Sequence, residues 1–319
     1  MFKMSHKILI DGKELPLLES ATIKESVESL IKTAEIKLPY MRYNKPIAPL
    51  DSIARGQKVT IGLGYNDDIK EEFSGYVSNV YADRSGMVIS CEDGMYKFRT
   101  ASLKNEVLKN PSVEDILKRA IKQVDPSLKL ACDYNFQYDK FTIQTATALD
   151  VLKQIQDESH CGIYLTGGTL HVHPVYTENL GTVKYDMAKN IDRDGFSLKF
   201  KSKEDRRLKV TAKGKDKDGK QIEKYAGEGG GDTETIDYKG ITTEASLQKI
   251  ADEAYARKSY TGYEGSFQGW LIPECHRGYR AEISDETDTV KNGTYFVKSV
   301  ETSYSRQGGI RKVELGKRL

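Results

Sequence analysis

Cysteine is scarce in this 319-residue chain: Cys91, Cys132, Cys161 and Cys275 are widely scattered, with no Cys-x-x-Cys pair. That scatter excludes a disulfide framework and the short zinc motifs, so the four read as reduced thiols of a protein made in a cytosol. No apolar run approaches the roughly 18 residues that a membrane span needs. The opening MFKMSHKILIDG lacks the apolar core of a signal peptide and reads as a first strand. Net charge is only +2, so nothing global demands a nucleic acid or an anionic membrane.

What is present points to a soluble, ordered protein. Hydrophobic residues make up 38% and charged residues 30% of a chain long enough for about two domains. Aromatic usage is uneven, with 19 Tyr against 9 Phe and a single Trp. Tyrosine sets an apolar ring and a polar tip at half-wet positions and is enriched at interfaces, which hints at assembly.

Along the chain the first hundred residues read as short strands. His6–Ile10 turns at Asp11-Gly12 into Glu14–Leu18, and Gln57–Leu63 alternates with Val59, Ile61 and Leu63 on one face. Phe73–Tyr81 and Met87–Cys91 flank a turn at Arg84-Ser85-Gly86, and Pro39–Pro49 is too long for a simple turn. From about Asn105 the period changes. Ser112 caps a helix whose apolar positions Val113, Ile116, Leu117, Ala120, Ile121 and Val124 fit helical spacing, and Asp125-Pro126 stops it.

The stretch Thr147–Pro174 is the most informative. Thr147 caps a second helix, with Asp150 three residues on and Ala148, Val151, Leu152, Ile155 and Ser159 on one face. Gly162 follows the helix end, and Gly167-Gly168 supplies a two-residue hairpin turn of positive φ. Pairing across that turn sets Leu165 opposite Leu170 and Ile163 opposite Val172, with Tyr164, Thr166, Thr169, His171 and His173 on the other face. His171-x-His173 puts two imidazoles on one strand face, as a ligand pair requires. No Asp, Glu or Cys within the hairpin converges on them and Cys161 has the opposite parity, so no metal ligand is assigned. A neighbouring subunit or solvent is the expected companion of both histidines.

Beyond Gly181 strands return. Phe196, Leu198 and Phe200, then Leu208, Val210 and Ala212, alternate with charged residues, and Asp218-Gly219 makes a turn. Gly227–Asp232 reads as a mobile loop, and a third helix runs from about Thr243 to Ser259 with Leu247, Ile250, Ala251 and Ala254 inward. Four strands follow: Gly265–Ile272, Tyr279–Ser284, Thr294–Tyr304 and Ile310–Leu315. The sum is roughly a dozen strands and three helices, an α+β protein: two β-rich modules, 1–104 and 181–319, flank a helix–hairpin insert, 105–180.

Motifs of catalysis fail one by one. Asp216-Lys-Asp218-Gly219 lacks the glutamate of a calcium loop, its twelfth position being Gly227, and Asp192-Arg-Asp194-Gly195 fails in the same way. Gly227–Gly231 has no Lys-Ser/Thr after it, no Gly-x-Ser-x-Gly elbow occurs, and nothing singles out a carboxylate pair. No catalytic, cofactor-binding or metal residue is assigned, and no enzyme is expected. One electrostatic feature stands out. An expected hairpin Gly195–Gly214 carries Lys199, Lys201, Lys203, Arg207, Lys209 and Lys213 on its non-core face. A solvated face is the plain reading, and a face meeting phosphates or an acidic partner the sharper one.

Four segments together resemble the phage tail hub proteins of the late control protein D family, related to the hub part of type VI secretion spike proteins. They are Phe73–Val77 with Val88–Gly94, the helix Ser112–Val124, the unit Thr147–Pro174, and Gly293–Val300 followed by Gly308-Gly309. One departure is Arg277-Gly278, where members of that family often carry Pro-Gly. The resemblance implies a structural baseplate hub without catalysis. It implies that the two β-rich modules are β-barrel-like and build a homotrimeric, pseudo-sixfold ring at the tail tip of a virion or phage-tail-like contractile particle, joining a central spike to the tail tube. The basic face then becomes a candidate lining toward DNA in transit or a docking face for baseplate proteins. A type VI-like spike hub is the alternative, disfavoured by the lack of a downstream needle domain. A β-rich carbohydrate-binding or hydrolytic protein is the rival of another class, and it implies a stable monomer.

Overall fold

The computed structural model describes residues 3–39, 41–42, 45–46, 53–82, 86–192, 196–205 and 207–319. Most of the loop Pro39–Pro49, the turn at Arg84-Ser85 and the segment 193–195 lie outside the described residues. Among the described residues the chain is mostly β, with four α-helices: α1 (Met95–Thr100), α2 (Val113–Val124), α3 (Ala148–Ser159) and α4 (Glu244–Lys258). The sequence pattern points to three; α1 is too short to show a period.

Alternation does what it should in the strands. In Lys58–Tyr65 the side chains of Val59, Ile61 and Leu63 are buried, and in Leu208–Lys215 those of Leu208, Val210 and Ala212 are. The helices are closed by the residues that the chemistry demands. Ser112 and Thr147 each accept from the backbone N–H three residues on, while Asp115 and Asp150 accept from the cap backbone, completing two capping boxes. Each cap contributes about 1 kcal/mol. The α3 end differs from expectation: His160 takes the left-handed position at φ 58°, and Gly162 begins the next strand. Gly167 and Gly168 have φ of 56° and 73°, the hairpin turn expected, with Leu165 paired to Leu170 and Ile163 to Val172.

Among the described residues no closed barrel is present. One long ladder carries strands from both ends of the chain, and its joint is Ser20–Ser26 paired antiparallel with Gly293–Ser305. On one side lie Thr33–Pro39, Gly86–Glu92, Asp68–Ala82, Lys58–Tyr65 and Met4–Ile10. On the other lie Gly308–Arg318, Gly262–Glu264 and Lys199–Lys201. Among the described residues this ladder does not close. Beneath it sit two apolar cores, one around Ile8, Ile36, Ile61, Phe73 and Ile89, the other around Tyr185, Phe267, Tyr295, Val313 and Leu315.

A third core belongs to the helices. It joins α2, α3 and the hairpin Gly162–His173 to Leu208, Val210, Ala212, Leu247, Ile250 and Ala251. Within the span expected as a second β module, residues 208–258 therefore contribute to the core of the mid-chain insert. The expected hairpin Gly195–Gly214 does not form. Lys199–Lys201 pairs with Gly262–Glu264, a single 3₁₀ turn at Lys203–Asp205 intervenes, and Leu208–Lys215 pairs with Gln221–Gly227 and Asp232–Ile241.

Candidate functional site

The six basic residues divide between two sheets. Lys199 and Lys201 stand at the end of the long ladder, Lys203 in the turn, and Arg207, Lys209 and Lys213 in or beside the three-stranded sheet over α4. Several already have partners: Lys201 pairs with Glu264, Lys213 with Glu223 at 3.3 Å, and Lys209 lies 4.4 Å over the Tyr225 ring. They do not form one ribbon face.

The dense polar chemistry lies elsewhere, where the insert meets the ladder. Arg277 is 1% exposed. Its guanidinium donates to the carbonyls of Ser26 at 3.1 Å and Leu165 at 2.9 Å, and stands 3.9 Å from Glu25 and 3.7 Å from Asp93. It also lies 4.6 Å over the Tyr164 ring. Gly278 follows at φ +76°, and a Cβ there would meet Leu180 at 2.9 Å and the Tyr164 hydroxyl at 3.2 Å, so only glycine fits. A half-open cleft of about 670 Å³ borders this junction, reaching Glu72 and the hairpin tip at Gly167-Gly168.

Electrostatics at the junction follow from burial set against charge. Burial pushes the Glu25 carboxyl up, but Lys32 at 3.2 Å, the His276 hydrogen bond at 2.7 Å and Arg277 outweigh it and hold the group at about 2. Burial dominates at Asp93, which is raised to about 6 despite Arg277 and the N–H groups of Met95 and Lys32. Glu25, ionised when folded below its ordinary 4.5, contributes stability that is full above about pH 4.5 and lost as pH falls toward 2. The melting-temperature gap between wild type and Glu25→Gln is therefore expected to narrow as pH drops through that window. A gap that stays constant would remove the assignment.

Next to the junction lies a second cluster. His171 and His173 do not face solvent or a bare surface: Glu178 reaches both, at 3.3 Å to His171 Nδ1 and 2.5 Å to His173 Nε2. Asp133 accepts from His173 Nδ1 at 2.6 Å, and the Tyr164 ring stacks on His171 with centroids 5.5 Å apart. Burial, then the neighbouring His173 and Arg277, lowers His171 to about 4. Burial and Asp133 raise Glu178 to about 8, against the pull of Arg277. The sequence showed the histidine pair but not its acids. Glu178 returns from the connector after the hairpin, and Asp133 arrives because Lys129–Cys132 runs parallel to Thr169–His173.

The cysteines offer no nucleophile of the usual kind. Burial pushes the Cys91, Cys161 and Cys275 thiols up to about 12. No helix is long and apolar enough to cross a membrane among the described residues.

No family model matches the chain, and no curated protein sequence matches it. Solved structures do, along nearly all of its length. The 43 kDa tail protein of prophage MuSo2 from Shewanella oneidensis superposes with a TM-score of 0.70 at 16% identity, covering 99% of this chain and 98% of that one. A tail protein from Neisseria meningitidis MC58 gives 0.69 at 16% identity, covering 98% and 96%. An Escherichia coli component of the type VI secretion system, described as similar to the T4 tail proteins gp27 and gp5, gives 0.64 at 11%, covering 98% and 77%. This chain therefore has the fold of these phage tail proteins and of this type VI secretion component. The resemblance carried by the sequence segments holds at the level of the whole fold.

Proposed function

We propose that the chain is a structural hub at the tail tip of a phage or phage-tail-like contractile particle, forming a trimeric ring between spike and tail tube. The observation that carries this reading is the end-to-end match to two prophage tail proteins, with each chain almost wholly covered. The alternative, the hub part of a type VI-like spike, rests on the same fold. Location in a virion, made in a host cytoplasm, goes with the phage reading alone.

Two surface features favour assembly. Among the described residues Thr182–Asp186 pairs on one side only, with Arg280–Ser284, and leaves an edge of the kind that a ring covers. The single tryptophan, Trp270, is 65% exposed beside its register partner Ile310, and Ile272 two residues on is 61% exposed. Grouped apolar side chains of this size at a sheet end fit burial against another copy of the chain. Lys199, Lys201, Lys203, Arg207, Lys209 and Lys213 are the proposed basic contacts to phosphates in transit or to an acidic baseplate partner, Lys203 lying 5.3 Å over the Tyr255 ring as Lys209 lies over Tyr225.

Sedimentation of the purified chain, alone and with the spike and tube proteins encoded beside it, tests the reading. A trimer is expected with spike present, and Trp270→Arg is expected to cut its yield at least about tenfold while the monomer stays folded, since aromatic anchors at interfaces commonly contribute 2 kcal/mol or more. A wild-type chain that binds neither protein would end the hub proposal.

A further inference from the structure

We propose that His171, His173 and Glu178 form a binding site for a divalent transition-metal ion of the zinc class, with one coordination position left open. Three donor atoms from one strand and its connector converge here. His171 Nδ1 lies 3.3 Å from Glu178 Oε1 and 3.4 Å from His173 Nε2. Bonds of about 2.05 Å to a tetrahedral ion place neighbouring ligand atoms about 3.3 Å apart. Two edges of the triangle already have that length, and the third, at 2.5 Å, has only to open.

The orientation of the groups points to a ligand as well. Glu178 Oε1 is buried, and neither imidazole is aligned to donate a hydrogen bond to it despite the short separations. His173 directs its other nitrogen, Nδ1, to Asp133 at 2.6 Å. A carboxylate on the far nitrogen of a ligating histidine fixes its ring and tautomer in zinc sites generally. The stacked Tyr164 ring packs against the His171 ring and limits its rotation.

The donor set agrees. Among the described residues, the ion pairs of Glu178 and Asp133 are to His171 and His173 alone. Imidazole with carboxylate suits zinc better than calcium or magnesium. Its place in the fold gives the ion a task. Bound there, it fastens the connector carrying Glu178, the only stretch between the hairpin Gly162–His173 and the strand Thr182–Asp186, to the hairpin itself.

The experiment uses the full chain, stripped with a chelator, dialysed and titrated near neutral pH with Zn²⁺ by calorimetry and with Co²⁺ by visible absorption. One equivalent is expected to bind, with the visible bands of four-coordinate cobalt and a higher melting temperature in the loaded protein. His171→Ala and Glu178→Gln are expected to remove that equivalent. Asp133→Asn, at a largely exposed position, is expected to weaken it about 10–100-fold without loss of fold. Absence of a stoichiometric ion in the wild type, or equal affinity in wild type and Asp133→Asn, overturns the proposal.

Discussion

Replacement of Arg311 by alanine is expected to lower stability by about 3–5 kcal/mol, the range for removing one partner of a buried ion pair. Arg311 lies on Gly308–Arg318 and is 1% exposed; Glu72 lies on Asp68–Ala82 and is 5% exposed. The guanidinium meets the carboxylate through two hydrogen bonds, at 2.7 and 3.1 Å, and also donates to the carbonyls of Leu271 and Cys275 and to the Thr302 hydroxyl. Truncation leaves a charged carboxylate and these acceptors buried together without a donor. The pair spans strands from opposite ends of the chain, so its loss strikes where the two ladder cores adjoin. Urea denaturation measures the loss. A double variant, Arg311→Met with Glu72→Leu, is expected to recover most of it, because apolar groups of similar volume carry no desolvation cost. A single variant losing less than about 1 kcal/mol would show the pair to be hydrated rather than buried.

That pair marks where the sequence stops being legible. Helical and strand periods were readable because each reports a face buried locally: Val113, Ile116, Leu117 and Ala120 in α2, or Val59, Ile61 and Leu63 in their strand. Which strands become neighbours was not readable. Ala21 and Ile23 alternate in the same way whether Ser20–Ser26 closes an N-terminal barrel or pairs with Gly293–Ser305, nearly the whole chain away. The lysine ribbon failed for the same reason. Alternation at Phe196–Phe200 and Leu208–Ala212 is real, but a 3₁₀ turn separates the strands and each finds other partners. Likewise the core of 208–258 with α2 and α3 is a long-range choice that leaves no local period.

The polar centres divide on similar lines. His171-x-His173 is a local signal and was visible, whereas Asp133 depends on a parallel register and Glu178 on the return of a connector. In the sequence Arg277 stands out only as a departure from the Pro-Gly of the resembled family. A lone arginine in a turn reads as exposed, since arginine is rarely buried without partners. Its partners Glu25 and Asp93 lie some 250 and 180 residues earlier in the chain, and no spacing rule links them.

Arg277→Ala supplies the second large effect, again about 3–5 kcal/mol by the same mechanism, and here pH separates the charge from the packing. With Arg277 present the buried Asp93 carboxyl sits at about 6. Its folded-state pKa is already raised, so ionising Asp93 costs stability as pH rises from its ordinary 3.8 through 6. Removing the cation that lowers it moves that carboxyl higher still, and the folded variant must keep it protonated near neutrality. Glu25 keeps Lys32 and His276 and changes less. The loss in Arg277→Ala is therefore expected to be largest at about pH 7–8 and smaller near pH 5, where Asp93 is protonated with or without its partner. Part of the loss persists at pH 5, because the Ser26 and Leu165 carbonyls lose their donor and Tyr164 its cation at every pH. Urea titrations at the two pH values read the difference. A loss of equal size at both would assign the arginine to packing and carbonyl capping, with Asp93 neutral throughout.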